Sequence, residues 1–169
     1  MRINDWHLSS EQLLGQMKTI ADMGIDTFDN ADIYGNYTCE TLVGNALALD
    51  PAFRNEIKII TKCGICIQSD KFPERQIQFY DYSHDYIVGQ VEKSLQNLRT
   101  DRIDLLLLHR PSYLLDPVEV ARAFDKLHTD GKVLNFGVSN FYAHDFFFFF
   151  SYCSVPLITN QIEVSPYCL

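Results

Sequence analysis

The chain has 169 residues, of which 47% are hydrophobic and 13% aromatic, enough to bury the core of one globular domain. A formal net charge of −8, with no cluster of basic residues, argues against nucleic-acid binding, because phosphates need cationic partners. No apolar run approaches the roughly 18 residues of a membrane-spanning helix. The opening "MRINDWHLSS" lacks a secretory-signal layout, so we expect a cytoplasmic protein without a membrane partner.

Residues 9–23 predict the first helix. Ser9 and Gln12 resemble a capping box at its start, and Gly24 ends it. The helix carries one apolar stripe, formed by Leu13, Met17, Ile20 and Met23.

Two strands and a second helix follow. Residues 26–30 predict a short strand, and residues 39–49 predict a helix that ends before Pro51. Residues 56–62 are mostly consecutive apolar β-formers, which is typical of a strand buried on both faces.

The middle of the chain predicts a long loop, a helix and a strand. Residues 64–82 form a polar and aromatic loop that is long for a connection between a strand and a helix. Ser83 caps a helix over residues 84–98, and the run "IDLLLLH" at 103–109 is the clearest buried strand.

The last part repeats this alternation. Asp116 as N-cap and Pro117 at the first helical position open a helix that Gly131 closes. Strands are predicted at 133–139 and 157–163, with a helix of undefined limits between them. The phenylalanine run at 146–150 covers every face of that helix. It is interpreted either as a core helix whose sequence has drifted or as an exposed apolar patch for a partner. The intact sequence on either side favours the core interpretation.

Alternation of strands and helices without a hairpin signal predicts a parallel α/β sheet with helical crossovers. No GxGxxG motif follows a strand, so a dinucleotide-binding doubly wound sheet loses its best support. A (β/α)8 TIM barrel remains, in which functional residues lie at the carboxyl ends of the strands.

The cysteines do not specify a framework. Their number is odd, and free thiols are the simplest interpretation in a reducing compartment; they are Cys39, Cys63, Cys66, Cys153 and Cys168. Cys63 and Cys66 form one CxxC without a second ligand pair, so we predict no metal site and interpret it as a strand end entering a loop.

Polar side chains stand where the predicted strands end. They are Asp29 and then Tyr34, Lys62, His109, Ser139 with Asn140, and Gln161. In a parallel barrel these ends meet on one face, so residues distant in sequence converge.

Together these residues can protonate a carbonyl oxygen. A tyrosine phenol is a weak acid near neutrality, and a neighbouring ammonium stabilises the phenolate that remains when the proton leaves. Lys62 supplies that charge, Asp29 pairs with Lys62, and His109 orients a carbonyl and shares the proton relay. Hydride reduction of a carbonyl by a bound cofactor fits this set.

Five segments resemble, in order and spacing, the signature segments of the aldo-keto reductases, and most closely their bacterial oxidoreductase branch. They are "GIDTFDNADIYG", "IITKCG", "DLLLLHRP", "GVSNF" and "TNQIEVSPY", and the resemblance extends from about Asp5 to Tyr167.

The resemblance implies reduction of aldehydes and ketones with NADPH on a (β/α)8 barrel without a metal. It places the catalytic tetrad of that family on Asp29, Tyr34, Lys62 and His109. It further implies that the nicotinamide carboxamide binds a second set of residues, namely Ser139, Asn140 and Gln161.

A full barrel needs about 250 residues and eight strands, whereas five strands are predicted here. We therefore expect one partial domain over residues 1–169, with "MRINDW" as the tail of a first strand and further βα units missing. In the family, the missing segments contribute many of the contacts that bind the cofactor. Weak NADPH binding and self-association through open sheet edges are expected.

Two functions remain open from the sequence. One is NAD(P)H-dependent reduction of a small-molecule carbonyl. The other is a catalytically inactive remnant, or a binding or regulatory module, on the same scaffold.

Overall fold

The computed structural model describes residues 3–167. Within that range the strands are β1 (Thr27–Asp29), β2 (Lys58–Cys63), β3 (Ile65–Cys66), β4 (Phe79–Tyr80), β5 (Leu105–Leu108), β6 (Phe136–Ser139) and β7 (Leu157–Gln161). The helices are α1 (Ser10–Asp22), α2 (Tyr34–Tyr37), α3 (Cys39–Leu47), α4 (His84–Leu98), α5 (Pro117–Thr129) and α6 (Ala143–Phe150), with 3-10 helices at Ile3–Trp6 and Phe53–Asn55.

A five-stranded parallel sheet in the order β1-β2-β5-β6-β7 forms the centre of the fold. Each main-sheet strand joins the next through at least one helix, which is the alternation that the sequence predicts. The predicted parallel order of an incomplete barrel wall is confirmed. All five carboxyl ends lie along one edge.

The pairing register decides which side chains share a face at that edge. Asp29 is paired with Ile60, and Lys62 is paired with Leu107. Because side chains alternate along a strand, Lys62 lies on the same face as Ile60, and therefore on the same face as Asp29. Ser139 is paired with Gln161, so these two residues also share a face.

The β6–β7 pair contains an irregularity. Phe136 pairs with Leu157, but the next residue, Gly137, pairs with Thr159, so that Ile158 is passed over. A Cβ atom on Gly137 would lie 2.6 Å from the Thr159 carbonyl oxygen. The bulge therefore brings the two backbones close at a position where glycine is required.

Helix caps follow the predicted chemistry. The Ser9 side chain accepts from the Gln12 amide while the Gln12 side chain accepts from the Ser9 amide, which completes the capping box of α1. Asp116 caps α5 and Pro117 is at its start, and Ser83 caps α4.

Two apolar clusters pack the helices on the sheet. The larger lies under α4, α5 and α6 and includes Phe124, Phe136 and Phe149. The smaller joins α1 and α3 to β2. The predicted stripe of α1 is right for Leu13 and Met17, which are buried, but wrong for its C-terminal half, because Ile20 and Met23 are 37% and 73% exposed.

Three further predictions are wrong. The loop at 64–82 contains an antiparallel hairpin, β3 with β4, and strands of two residues are too short to be recognised from a sequence pattern. "MRINDW" is not the tail of a strand: residues 3–6 form a 3-10 helix, and residues 1 and 2 lie outside the described range. The core interpretation of residues 146–150 fails for Phe147, Phe148 and Phe150, which are exposed.

Over residues 3–167, no helix combines the length and apolar character needed to cross a membrane.

Candidate active site

Lys62 is the centre of the polar cluster at the carboxyl edge. Its Nζ lies 2.7 and 2.6 Å from the two carboxylate oxygens of Asp29, 3.0 Å from the Asn30 carbonyl oxygen and 3.2 Å from the Tyr34 hydroxyl. The lysine is 2% exposed, whereas the Asp29 side chain is 39% exposed. A buried ammonium requires such partners, and Asp29 supplies the compensating charge.

Tyr34 begins the short α2 segment, five residues after Asp29. The Lys62 ammonium is 5.0 Å from the centroid of its ring as well as within hydrogen-bond distance of its hydroxyl. Gly35 follows with a φ of 59° and close neighbours: an added Cβ would lie 2.5 Å from Asn4 Nδ2. Glycine therefore allows the backbone to turn directly after Tyr34.

His109 directly follows β5 and faces Tyr34. The two ring centroids are 5.7 Å apart with an interplanar angle of 72°. Burial, with Lys62 and Arg110 as neighbouring charges, lowers the pKa of His109 to about 4. The imidazole is therefore neutral at neutral pH, and its buried Nδ1 makes no hydrogen bond within residues 3–167.

Ser139, Asn140 and Gln161 form a second polar group at the ends of β6 and β7. Ser139 Oγ donates to the Gln161 carbonyl oxygen (3.1 Å) and accepts from Asn140 Nδ2 (2.9 Å). Asn140 Oδ1 accepts from the Glu163 amide (3.0 Å). Two of the three side chains are thus engaged with the protein, whereas the Gln161 side-chain amide and the second Nδ2 hydrogen of Asn140 have no partner within residues 3–167.

The structure brings the four predicted catalytic residues together. Lys62 is hydrogen-bonded to both Asp29 and Tyr34, and the ring of His109 lies against the ring of Tyr34. The predicted cofactor residues form a separate group on the neighbouring strands β6 and β7 of the same edge. A phenol held by an ammonium beside a neutral imidazole can donate a proton to an oxygen placed between the two rings.

The donors present at this edge fit a nicotinamide carboxamide. A primary amide offers one carbonyl acceptor and two N–H donors, which match the remaining amide groups of Gln161 and Asn140.

Sequence reasoning missed two features of this site. The Asn30 carbonyl oxygen is a third ligand of the Lys62 ammonium, and a backbone group leaves no trace in residue identity. Asp32 lies between Asp29 and Tyr34 and is 3% exposed. Burial and the neighbouring Glu40 raise the pKa of Asp32 well above its usual value. An acid placed within "DNADIYG" could have been noted as a candidate for burial.

Cys63 and Cys66 are buried and free, with burial raising the pKa of both thiols. In the part of the chain that the structure describes, no group of three or more His, Cys, Asp or Glu side chains is arranged to hold a metal ion. Cys168 lies outside that part.

Comparisons with known proteins show the family of the chain. The model of the aldo/keto reductase family matches residues 1–167. The chain is 51% identical over 166 residues to the uncharacterised oxidoreductase YcsN of Bacillus subtilis, covering 98% of this chain and 55% of that protein. It is 41% identical over 162 residues to the 6-dehydroglucose reductase of Agrobacterium fabrum, covering 96% and 54%.

A solved structure with the same fold is the glycerol dehydrogenase of Gluconobacter oxydans, with a TM-score of 0.75 and 34% identity. The match covers 89% of this chain and 44% of that one. The chain spans about half the length of the curated relatives it matches. The sheet is thus the matching part of a (β/α)8 barrel, and the chain belongs to the aldo/keto reductase family of oxidoreductases.

Proposed function

We propose that this protein reduces the carbonyl group of a small aldehyde or ketone to an alcohol, with NADPH as the cofactor, as a single domain in the cytoplasm. The observation that carries the proposal is the hydrogen-bonded set Asp29–Lys62–Tyr34 facing a neutral His109. Its relatives are named as oxidoreductases, and one is named for reduction of an oxidised sugar.

Tyr34 acts as the general acid. Its hydroxyl protonates the carbonyl oxygen, and the Lys62 ammonium at 3.2 Å stabilises the phenolate that remains. Asp29 accepts two hydrogen bonds from Lys62 and thereby holds the ammonium against the phenol.

His109 orients the substrate. Because it is neutral, one ring nitrogen donates a hydrogen bond to the same oxygen that Tyr34 protonates, without adding a second positive charge beside Lys62.

NADPH, when bound, supplies the hydride that reduces the carbonyl carbon. The residues proposed to hold its carboxamide are Ser139, Asn140 and Gln161, with Ser139 fixing the amide of Asn140.

Replacing Tyr34 with phenylalanine tests the assignment. Tyr34→Phe deletes the proton donor and leaves the ring, so carbonyl reduction should fall by about 10²–10⁴-fold while NADPH affinity changes little. The loss of absorbance of the reduced nicotinamide measures turnover, and a fluorescence titration measures binding.

Tyr113→Phe, which removes a hydroxyl from a fully exposed ring, is the matched control and should retain activity. A loss smaller than about tenfold in Tyr34→Phe contradicts the general-acid role. NADPH binding without turnover in the unmodified protein would favour the binding module over the enzyme.

A further inference from the structure

The long segment at residues 64–82 contacts the turns that carry both Tyr34 and His109. It begins at Gly64, whose φ is 110°, and ends at Tyr82. A Cβ on Gly64 would lie 1.9 Å from the Tyr82 ring, so the two ends of the segment pack directly against each other. Two tyrosines outside the tetrad, Tyr37 and Tyr82, make the connections.

Tyr82 forms hydrogen bonds with the backbone of Arg110, the residue after His109. Its hydroxyl donates to the Arg110 carbonyl oxygen and accepts from the Arg110 amide at 3.2 Å. The ring is 6% exposed, and the His109 amide in turn donates to the Cys63 carbonyl oxygen (3.0 Å). One side chain thus satisfies both backbone groups of the residue that follows the imidazole.

Tyr37 joins the same segment to the turn that carries Tyr34. Its hydroxyl accepts from the Ile67 amide (3.1 Å) and from Arg75 Nη1 (2.8 Å), and its carbonyl oxygen accepts from Lys71 Nζ (2.7 Å). The Arg75 guanidinium lies 3.8 Å from the centroid of the Phe72 ring, which meets the Tyr37 ring edge-on. These contacts come from four separate positions of the segment.

The backbone at Tyr37 requires such contacts. Gly35, Asn36 and Tyr37 have φ values of 59°, 56° and 62°, three successive left-handed residues directly after Tyr34. An aromatic residue rarely adopts this conformation, and it persists where surrounding structure enforces it. The contacts from residues 64–82 provide that enforcement.

We propose that Tyr37 and Tyr82 are positioning residues, which fasten residues 64–82 to the two turns and so fix Tyr34 and His109 relative to each other. Neither hydroxyl contacts the reacting atoms. The effect on catalysis rests on the proposed function, whereas the connections themselves do not, so they are tested by measurements that need no turnover.

The first test is an NMR titration of the His109 imidazole in Tyr82→Phe. This variant keeps the ring against Gly64 but frees both backbone groups of Arg110, so His109 becomes more hydrated. Its pKa should rise from about 4 toward the ordinary value of 6.5. The residues that face the imidazole, Lys62, Arg110 and Tyr34, are not themselves substituted in this variant.

Tyr80→Phe is the matched control, since Tyr80 stacks on Tyr82 but is 42% exposed and its hydroxyl makes no hydrogen bond within residues 3–167. Equal His109 pKa values in Tyr82→Phe and Tyr80→Phe would overturn the role of Tyr82.

The second test is limited trypsin digestion of Tyr37→Phe. Loss of both hydroxyl contacts should increase cleavage after Lys71 and Arg75 about tenfold, a factor that corresponds to about 1.4 kcal/mol, because cleavage follows the open population. Cleavage after Lys126, in α5, is the internal reference. Unchanged cleavage, or a parallel rise at Lys126, would overturn the role of Tyr37.

Amide hydrogen exchange of the unmodified chain covers the case in which Tyr82→Phe does not fold. The Arg110 and Ile67 amides, both held by tyrosine hydroxyls, should exchange together with the hairpin amide of Asp81, which donates to the Gly64 carbonyl oxygen. Arg110 exchange at the rate of a freely exposed amide would refute the Tyr82 connection.

If the protein reduces carbonyls, kcat should fall in Tyr82→Phe more than in Tyr80→Phe while KM for NADPH stays constant.

Discussion

His109 links the candidate site to the stability of the fold. The folded protein holds its pKa at about 4, against 6.5 for an ordinary histidine. Between these values the unfolded chain binds more protons than the native chain, so the free energy of unfolding rises with pH. This stabilisation is complete above 6.5 and is lost as the pH falls to about 4. The buried imidazole therefore makes the site sensitive to acid.

Replacing His109 should remove that sensitivity. The free energy of unfolding falls as the pH is lowered from about 7 to about 4. In His109→Gln this fall should be smaller than in the unmodified protein, by at most about 3 kcal/mol. Urea unfolding at both pH values measures it. His144→Gln, at a histidine whose side chain is 80% exposed, is the control for the loss of a histidine. An identical dependence in His109→Gln and the unmodified protein would show that His109 is not held neutral.

Lys62→Met should affect turnover more than it affects the fold of the sheet. The methionine is apolar and of similar length, so it fits the buried position, but the phenolate of Tyr34 loses its ammonium. The rate of carbonyl reduction should fall at least about tenfold, and the remaining rate should depend more steeply on pH. A pH profile of kcat checks this, with the exposed Lys58→Met as control. A flat profile at normal rate would contradict the role of Lys62.

Among the elements, the amino-terminal ends of β2 and β5 are joined by one arginine. Arg54, in the 3-10 helix before β2, donates to the Asp104 carboxylate (2.7 Å), the Arg102 carbonyl oxygen (2.8 Å) and the Ile57 carbonyl oxygen (3.1 Å). Asp104 also accepts from the Ile59 amide (2.8 Å). The pair is mostly buried, with side-chain exposures of 7% and 16%.

Arg54→Met should therefore be strongly destabilising. It leaves the Asp104 carboxylate without its cation, which costs about 3–5 kcal/mol for a buried pair. The exposed pair Arg122–Glu119 offers a matched control: Arg122→Met should cost no more than about 1 kcal/mol. Urea unfolding of both variants decides it. Similar losses would show that the buried pair contributes no more than a surface pair.

Regular elements were predictable because local chemistry and burial agree in them. The capping box of Ser9 and the Asp116-Pro117 start both appear where expected, and the apolar run at 103–109 gives a strand. The hairpin of β3 and β4 was not predictable, because strands of two residues are too short to show a periodic pattern.

The site was predictable to the extent that its residues end strands. Lys62 and His109 follow this rule, and so their convergence could be anticipated. The left-handed backbone at Tyr37 could not, since nothing in that residue type favours a positive φ; it results from contacts with a segment 30 residues further along.

For the molecule as a whole, the edges of the sheet and the exposed face of α6 are the surfaces to consider for association. Within residues 3–167, β1 and β7 each have one neighbouring strand in the main sheet. The helix α6 precedes β7 in the chain, and its Phe147 and Phe148 are 69% and 59% exposed. Open strand edges and contiguous exposed aromatic rings both favour association.

Removing the aromatic rings of α6 should lower self-association. Phe147→Ser with Phe148→Ser deletes two exposed side chains and no buried one, so the fold should remain while the sedimentation coefficient depends less on concentration. Phe149→Ser is the contrasting variant: that ring is 2% exposed, and its loss should cost about 3–5 kcal/mol. If the double variant associates as strongly as the unmodified chain, the strand edges rather than α6 drive association.

The bulge between β6 and β7 determines which amide stands beside Ser139. Counted regularly from the Phe136–Leu157 pair, Asn160 would be opposite Ser139; because Ile158 is passed over, Gln161 takes that position and Asn160 moves to the opposite face. There Asn160 donates to the Phe141 carbonyl oxygen and accepts from the Phe141 amide. A single surplus residue thus assigns the carboxamide of Asn160 to hydrogen bonds with Phe141 and that of Gln161 to the face that carries Ser139.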